Sequence, residues 1–355
     1  MTYGDLAEDQ DLNEFLNVYS NILSNYYEDV DKGVLLDKAI AGMMDYLGDD
    51  YTTYLDDEST SELFNSLSGE YQGIGVSINN TDKSIVKVYD DTPASRVGIQ
   101  VGDIIVGFND TDVTNMSATE VVNLIKNSTD TFILRLQRGD GIISVSLKNE
   151  TLIAPNVDYY MIENTTTGYL KIDTFSNTLA TQVEKALNEL EGMGLTSLIV
   201  DLRDNTGGYL TAATDVASIF LNKGDKIFSL EYQNDVTDYK DETRESKNYP
   251  IVVLINGNSA SASEILTAAL KESYGATTVG ETSFGKGKVQ QTMQLDDGSM
   301  IKYTSSYWLT PNGTCIDELG IAPDYYVTNT EQTDASGNTI IVDDQLNKAI
   351  EILNE

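Results

Sequence analysis

Lys286 lies between Gly285 and Gly287 in the segment SFGKGKVQQ (283–291), so no neighbouring side chain blocks its amine. A lysine acts as a general base only where burial brings its pKa toward neutrality, since a solvated ammonium keeps its proton. Gln290, four residues on, can accept a hydrogen bond from that amine and aim it. In a straight strand the two Cα atoms would stand about 13 Å apart, so close contact requires a bend or a helical turn. Read alone, Lys286 is a flexible, exposed loop lysine. Lys288, Lys271 and Lys302 are rival bases, Lys288 reading as solvent-facing. A hydroxyl to pair with such a base occurs in NGNSASASEIL (256–266), directly after the apolar run IVVLI. A serine at this junction would sit at a helix N-terminus, where free N–H groups and the macrodipole favour developing negative charge. The same residues, Ser261-Ala262-Ser263-Glu264, also read as an ordinary S-x-x-E capping box. DLRDNTGG (201–208) places adjacent glycines after a strand. They allow close backbone approach and bare N–H groups of the kind that stabilise an oxyanion, or simply a tight strand-to-helix turn.

Composition narrows the chemistry further. The 355 residues contain no histidine, which excludes Ser-His-Asp and Cys-His catalysis, HExxH zinc sites and any imidazole base. The single Cys315 excludes an intrachain disulfide and every multi-cysteine metal site. Proton transfer must then run on Lys, Asp, Glu or Tyr. With 22 Lys+Arg against 57 Asp+Glu the net charge is −35, which makes nucleic acid and anionic membrane faces poor partners. No apolar run reaches the roughly 18 residues that a membrane span requires. The acidic start, MTYGDLAEDQDLNEF, is no signal peptide. Either the protein stays inside the cell, or its sequence here begins after a removed export segment.

The elements that must carry these residues follow from periodicity. Residues 11–66 read as helical, with Phe15, Leu16, Tyr19, Ile22, Leu23 and Tyr26, then Leu36, Ala39, Ile40, Met43, Met44 and Leu47, at helix spacing. From Gly69 to about Glu150 the pattern changes to short strands (YQGIGVSI, SIVKVY, DIIVGFN, TFILRLQR, IISVSLK) with short helices at TPASRVG and SATEVVNLIKN. Beyond Pro155, strands and longer helices alternate, as expected of an α/β core with a largely parallel sheet. The final QLNKAIEILNE puts Leu346, Ala349, Ile350 and Leu353 on one face, suited to docking or dimerisation. The expected domains are an N-terminal helical region (1–68), a small β-rich domain with two helices (69–150), an α/β core (151–328) and a C-terminal extension with a helix (329–355). Gly73-Ile74-Gly75-Val76, at the head of the β-rich domain, has the form of a PDZ carboxylate-binding loop, in which successive N–H groups hold a terminal carboxylate.

Taken together and in order, GMMDYLGDDYTTYL, EYQGIGV, TPASRVGIQVGDIIVGFNDTDVTNMS, GYLKIDTF, DLRDNTGG, INGNSASASEIL, TSFGKGKVQ and YWLTPNGTCIDELGIAPD resemble the carboxy-terminal processing peptidases, or tail-specific proteases. The resemblance covers nearly the whole chain. It implies a multidomain α/β fold with a helical N-terminal part, a PDZ domain and a crotonase/ClpP-like protease core. By matching position it makes Ser261 the nucleophile, Lys286 the general base and Gln290 the residue that orients it. The oxyanion hole it implies is the backbone N–H of Ala262 with that of Gly207, or alternatively that of Gly208. Gly73, Ile74, Gly75 and Val76 would bind the substrate's C-terminus. The implied activity is a serine endopeptidase with a Ser/Lys dyad, cleaving near the C-termini of unfolded or flexible-tailed proteins, with no cofactor and no metal. Partners are then protein or peptide substrates, with a possible homodimer through the terminal helices. The family implies work outside the cytoplasm, at a bacterial envelope or comparable compartment, with the export or anchor segment absent from this sequence. Thr206 stands where the family often has proline, so the glycine turn at 207–208 is expected to be less rigid; Asp50 also stands where proline is usual. Two other readings are a non-catalytic PDZ peptide-binding scaffold and a crotonase-like acyl-thioester enzyme.

Overall fold

The computed structural model of the chain describes residues 9–243, 246–333 and 339–354. Residues 1–8 of the expected N-terminal region, and residues 334–338 and 355 of the expected C-terminal extension, lie outside the described residues. The chain forms two compact units. One comprises Met1–Glu62, Glu231–Asp235 and Lys288–Tyr307; the other comprises Leu63–Leu230, Val236–Gly287 and Trp308–Glu355.

In the first unit, helices Gln10–Asn25 and Lys32–Tyr46 begin at Asp9 and Asp31, whose carboxylates accept the first free N–H groups. The helical reading of 11–66 fails in its middle. Gly48 turns left-handed at φ +61, and Thr53–Leu55 forms a strand antiparallel to Met300–Lys302. That partner lies about 250 residues away, so local periodicity carries no sign of it. Lys288–Gln294 pairs along Met300–Leu309, with a β-bulge between Val289 and Gln290.

In the second unit, the β-rich domain follows its expected elements except that YQGIGVSI is not one strand: it breaks at Ile74–Gly75 into two, paired with Glu150–Ile153 and with Ile85–Val88. Strands Glu70–Gly73, Val76–Ile78, Ile85–Val88, Ile104–Phe108, Phe132–Arg138 and Gly141–Leu147 accompany helices Pro93–Arg96 and Ala118–Lys126. Phe132, Leu134 and Leu136 alternate inward and pack with Ile85, Ile105, Val121 and Ile125. Asp103, buried, is held by a two-point contact from Arg138 at 2.7 Å.

The α/β core is a six-stranded sheet whose spatial order is its chain order: β1 (Val157–Met161), β2 (Thr167–Ile172), β3 (Ser197–Asp201), β4 (Ile251–Ile255), β5 (Thr277–Gly280) and β6 (Tyr325–Tyr326). β1 is antiparallel to β2, and all later pairs are parallel. β3 and β4 are buried along their whole length, which explains their unbroken apolar runs. Helices α1 (Leu179–Gly192), α2 (Leu210–Phe220) and α3 (Ala262–Ala269) are the crossovers, and α3 is buried at every residue. Helix α4 (Asp344–Asn354) lays Leu346, Ala349, Ile350 and Leu353 on Tyr169, Ile199, Val252, Leu254 and Val279. The apolar face of this terminal helix is thus occupied by its own sheet rather than offered to a second copy.

Candidate active site

Two loops leave the carboxyl ends of adjacent parallel strands, where open α/β sheets form their sites. The β4–α3 loop carries Ser261. Its φ of +59 and ψ of −116 lie where a residue with a side chain is rarely found, a strain tolerated only because the surroundings fix the turn. The expected capping box is present, but unevenly. Glu264 Oε2 accepts the Ser261 N–H at 2.8 Å, while the Glu264 N–H has the Ser261 carbonyl as its close partner, also at 2.8 Å. The hydroxyl itself is held in no side-chain cap bond.

The carboxylate of Glu264 is completely buried, yet it accepts from more than its own helix. Oε1 takes the Ser283 hydroxyl and the Gly285 N–H, each at 2.6 Å, and Oε2 takes the Lys286 N–H at 2.9 Å. Ser261 and Lys286 therefore share one oxygen through their main-chain nitrogens, which places those nitrogens within about 6 Å of each other. Neither S-x-x-E nor FGKG predicts this link. The available sequence signal is a lone carboxylate in the otherwise uncharged helix ASEILTAA.

The Lys286 loop is not the flexible exposed segment that its glycines suggest. The Trp308 indole donates to the Lys286 carbonyl at 2.8 Å and the Trp308 N–H to the Gly287 carbonyl at 2.9 Å. The Gly287 N–H goes to Asp317 Oδ1 at 3.0 Å, and the Gly285 carbonyl receives the Glu318 N–H at 2.8 Å. The glycines answer a space requirement. A Cβ on Gly287 would stand 2.7 Å from Asp317 Cβ, and one on Gly285, at φ +88, would stand 2.8 Å from Gly320 N. Two rival bases are committed elsewhere. Lys271 pairs with Asp324 at 2.8 Å. Lys288 does not face solvent; its side chain is only 24% exposed and stands 3.8 Å from Asp49 and over the Tyr51 ring. Gln290 belongs to the other unit, where its amide donates to the Lys288 carbonyl at 3.2 Å and to Thr304 Oγ1 at 3.4 Å.

The β3–α2 loop carries the glycine pair. Gly207 (φ +103) presses on the Ser261 turn so closely that a Cβ would meet the Ala260 carbonyl at 2.8 Å and Ala262 N at 3.0 Å. A Cβ on Gly208 would meet the Phe175 carbonyl at 2.3 Å. The two loops are laced together. Asp204 accepts the side-chain amides of Asn258 and Asn256, at 2.8 and 2.9 Å, and these bonds hold its carboxyl below the usual aspartate range. Ser259 Oγ donates to the Leu202 carbonyl at 2.8 Å. The Gly207 N–H, expected to face substrate, donates to Asn205 Oδ1 at 2.8 Å. Among the described residues, the N–H groups of Gly208 and Ala262 carry no hydrogen bond.

In the β-rich domain, the carbonyls of Ile74 and Gly75 are taken by the N–H groups of Ala94 and Tyr89, at 2.9 and 3.0 Å. The N–H groups of Ile74 and Gly75 have no partner among the described residues. Among the described residues, strand Val76–Ile78 pairs with Ile85–Val88 and with no other strand. No group of three or more acidic or cysteine side chains that could hold a metal occurs among the described residues, and no helix there is long and apolar enough to cross a membrane.

The description Peptidase family S41 matches residues 166–327, Activating protease CtpB N-terminal domain matches 3–59, and PDZ domain matches 84–138, a stretch that begins after the Gly73–Val76 loop. The chain is 37% identical over 320 residues to the carboxy-terminal processing protease CtpA of Bacillus subtilis, covering 89% of this chain and 68% of that protein. It is 35% identical over 324 residues to a probable CtpA-like serine protease of Staphylococcus aureus, covering 90% and 65%. It therefore spans about two thirds of the length of these relatives. Among solved structures, the photosystem II D1 C-terminal processing protease aligns with a TM-score of 0.54 at 25% identity, over 90% of this chain and 87% of that one. A lipoprotein from Streptococcus agalactiae shares the fold, with a TM-score of 0.55 at 14% identity, over 98% and 90%. On these likenesses the chain belongs to the carboxy-terminal processing serine proteases of peptidase family S41, and it carries a PDZ domain.

Proposed function

We propose that Ser261 is the nucleophile and Lys286 the general base of a Ser/Lys endopeptidase. The hydroxyl of Ser261 attacks a peptide carbonyl while the neutral amine of Lys286 accepts its proton, and the N–H of Ala262 and one from the Gly207–Gly208 turn hold the oxyanion. The observation that carries this reading is the shared Glu264 oxygen, which fixes the backbone of both residues on one side chain. The PDZ loop Gly73–Val76 captures the free C-terminus of an unfolded or flexible-tailed protein, and the adjacent tail is cut. The reaction uses no metal and no cofactor, so EDTA leaves it unchanged; loss of activity restored by a divalent ion contradicts this. The protein works outside the cytoplasm. A homodimer would use helices Gln10–Asn25 and Lys32–Tyr46, which bury no side chain and expose Phe15, Leu16, Val18, Leu36 and Met43.

The test is direct. Wild type, Ser261→Ala and Lys286→Ala are incubated with an unfolded protein and the fragments mapped by mass spectrometry. Cleavage is expected from wild type alone. Undiminished cleavage by Ser261→Ala sinks the proposal.

A further inference from the structure

We infer that Asp49 is a positioning residue: acting through Thr304, it sets which end of the Gln290 amide is left to receive an amine. This rests on the reading of Lys286 as general base and of Gln290 as the residue that aims it. The two ends of a carboxamide have nearly the same shape, so hydrogen-bond partners decide which way each end faces. For Gln290 those partners belong to one network with a fixed order of protons, and all of its residues lie in a single unit.

The network starts at a group that can only accept. Burial alone would raise the Asp49 carboxyl, but the bonds from Thr304 and Thr52 and the Lys288 charge outweigh it and hold it below the usual aspartate range. Asp49 Oδ2 takes the hydroxyls of Thr52 and Thr304, each at 2.6 Å, while Oδ1 stands 3.8 Å from the Lys288 ammonium. Thr52 Oγ1, its own proton engaged, receives the Thr304 N–H at 3.1 Å. Thr304 Oγ1 has likewise committed its one proton to Asp49, so toward Gln290 it can act only as an acceptor. Gln290 Nε2 therefore meets two acceptors, the Lys288 carbonyl at 3.2 Å and Thr304 Oγ1 at 3.4 Å. Both bonds are long, and what they supply is direction more than strength. Oε1 is left over, with no hydrogen bond among the described residues. It is the only end of the amide that can accept from an amine.

Strand register brings these groups together. Val289 stands opposite Ser306 and Gln290 opposite Thr304, with Ser305 skipped at the bulge. Directly opposite residues share a face of the sheet, so the bulge sets Gln290 beside Thr304. The segment from Asp49 to Thr52 arrives at the same place because Thr53–Leu55 pairs with Met300–Lys302.

A double-mutant cycle on the full chain tests the inference, with initial rates on a flexible peptide that has a free C-terminus. Thr304→Val keeps the side chain's shape and removes Oγ1; Thr304→Ser keeps Oγ1. Gln290→Ala is expected to lower kcat on the order of 100-fold, as misalignment of a catalytic group does, and Thr304→Val about 10-fold. KM should stay within about twofold in both, since neither change touches substrate binding. Thr304→Ser should restore the wild-type rate. Placed on Gln290→Ala, Thr304→Val should cost nothing further, whereas independent effects would multiply. Asp49→Leu, of similar shape, frees the Thr304 hydroxyl to donate to Oε1 and should repeat the pattern of Thr304→Val. A wild-type kcat in folded Thr304→Val, or a fall that multiplies fully with Gln290→Ala, overturns the inference. So does wild-type kcat in Gln290→Ala beside an inactive Lys286→Ala, an outcome that leaves the base in place. Undiminished cleavage by Lys286→Ala instead removes the base, and the inference with it.

Discussion

At the scale of single residues, Glu264 carries the most structural responsibility for its size. Its two oxygens face four donors, and none of those donors is replaceable by solvent at a site of zero exposure. Glu264→Gln preserves shape but turns one acceptor into an NH2 that must point at two of them. Each buried donor left unsatisfied costs about 1–3 kcal/mol, so a loss of about 2–4 kcal/mol is expected in urea unfolding. The Ser261 and Lys286 backbones should also drift apart, with a fall in kcat on the order of 100-fold. A variant close to wild type in both measurements would show that the shared oxygen is incidental. The PDZ loop is tested by Gly75→Ala. Gly75 has φ +83, and a Cβ there would stand 2.2 Å from Thr92 Cβ, so the loop must deform. Wild type is expected to show a lower KM for free-acid peptides than for their amidated forms, and Gly75→Ala to abolish that difference without changing kcat. Equal KM values for the two peptides in wild type would remove the loop from substrate capture.

At the scale of elements, the sequence made faces and junctions legible but not their partners. Helical spacing identified Leu346, Ala349, Ile350 and Leu353 as one apolar face, yet periodicity cannot say whether such a face turns inward or toward another chain. What turns it inward is a polar cluster assembled from distant segments. Arg203 reaches Asp201 at 2.6 Å, Asp343 at 2.7 Å and Gln345 at 3.0 Å, and the Tyr169 hydroxyl donates to Asp201 at 2.6 Å. Burial, and then the Asp201 charge, push the Tyr169 phenol far above its ordinary range, so it remains a donor. The glycine pair and the Lys286 loop were legible for the same reason as the helix face: their signals are local. The bonds from Glu264 and Trp308 to Lys286 span more than 20 residues and leave no trace in local pattern. Arg203→Met is expected to leave Asp201 buried and unpaired, at about 3–5 kcal/mol. Arg203→Lys should not restore this, because an ammonium cannot supply the same fork of donors. Urea midpoints, together with proteolytic release of α4, measure both effects.

At the scale of the whole molecule, the absence of histidine separates folding from chemistry on the pH axis. No side chain with an ordinary pKa titrates between about pH 5 and 8. The carboxylates with depressed values act lower. Hydrogen bonds from Arg138 hold Asp103 below its usual range. Burial alone would raise Asp343, but the bonds from Arg203 and the Leu346 N–H outweigh it and hold it low as well. A folded-state value below the unfolded one contributes stability that is complete above the unfolded pKa, near 3.9 for aspartate, and disappears as pH falls through the folded value. Unfolding midpoints should therefore be flat from about pH 5.5 to 8 and drop below about pH 4. Asp103→Asn should abolish part of that drop. A net charge of −35 opposes compaction, so added salt up to about 0.15 M should raise the melting temperature throughout the flat range. Against this constant background a Ser/Lys enzyme must gain activity as its base loses a proton, and kcat is expected to rise from pH 6 to 8 while the urea midpoint stays put. A rate that falls steadily across that window, with the fold intact, would leave no base of the required kind in the chain.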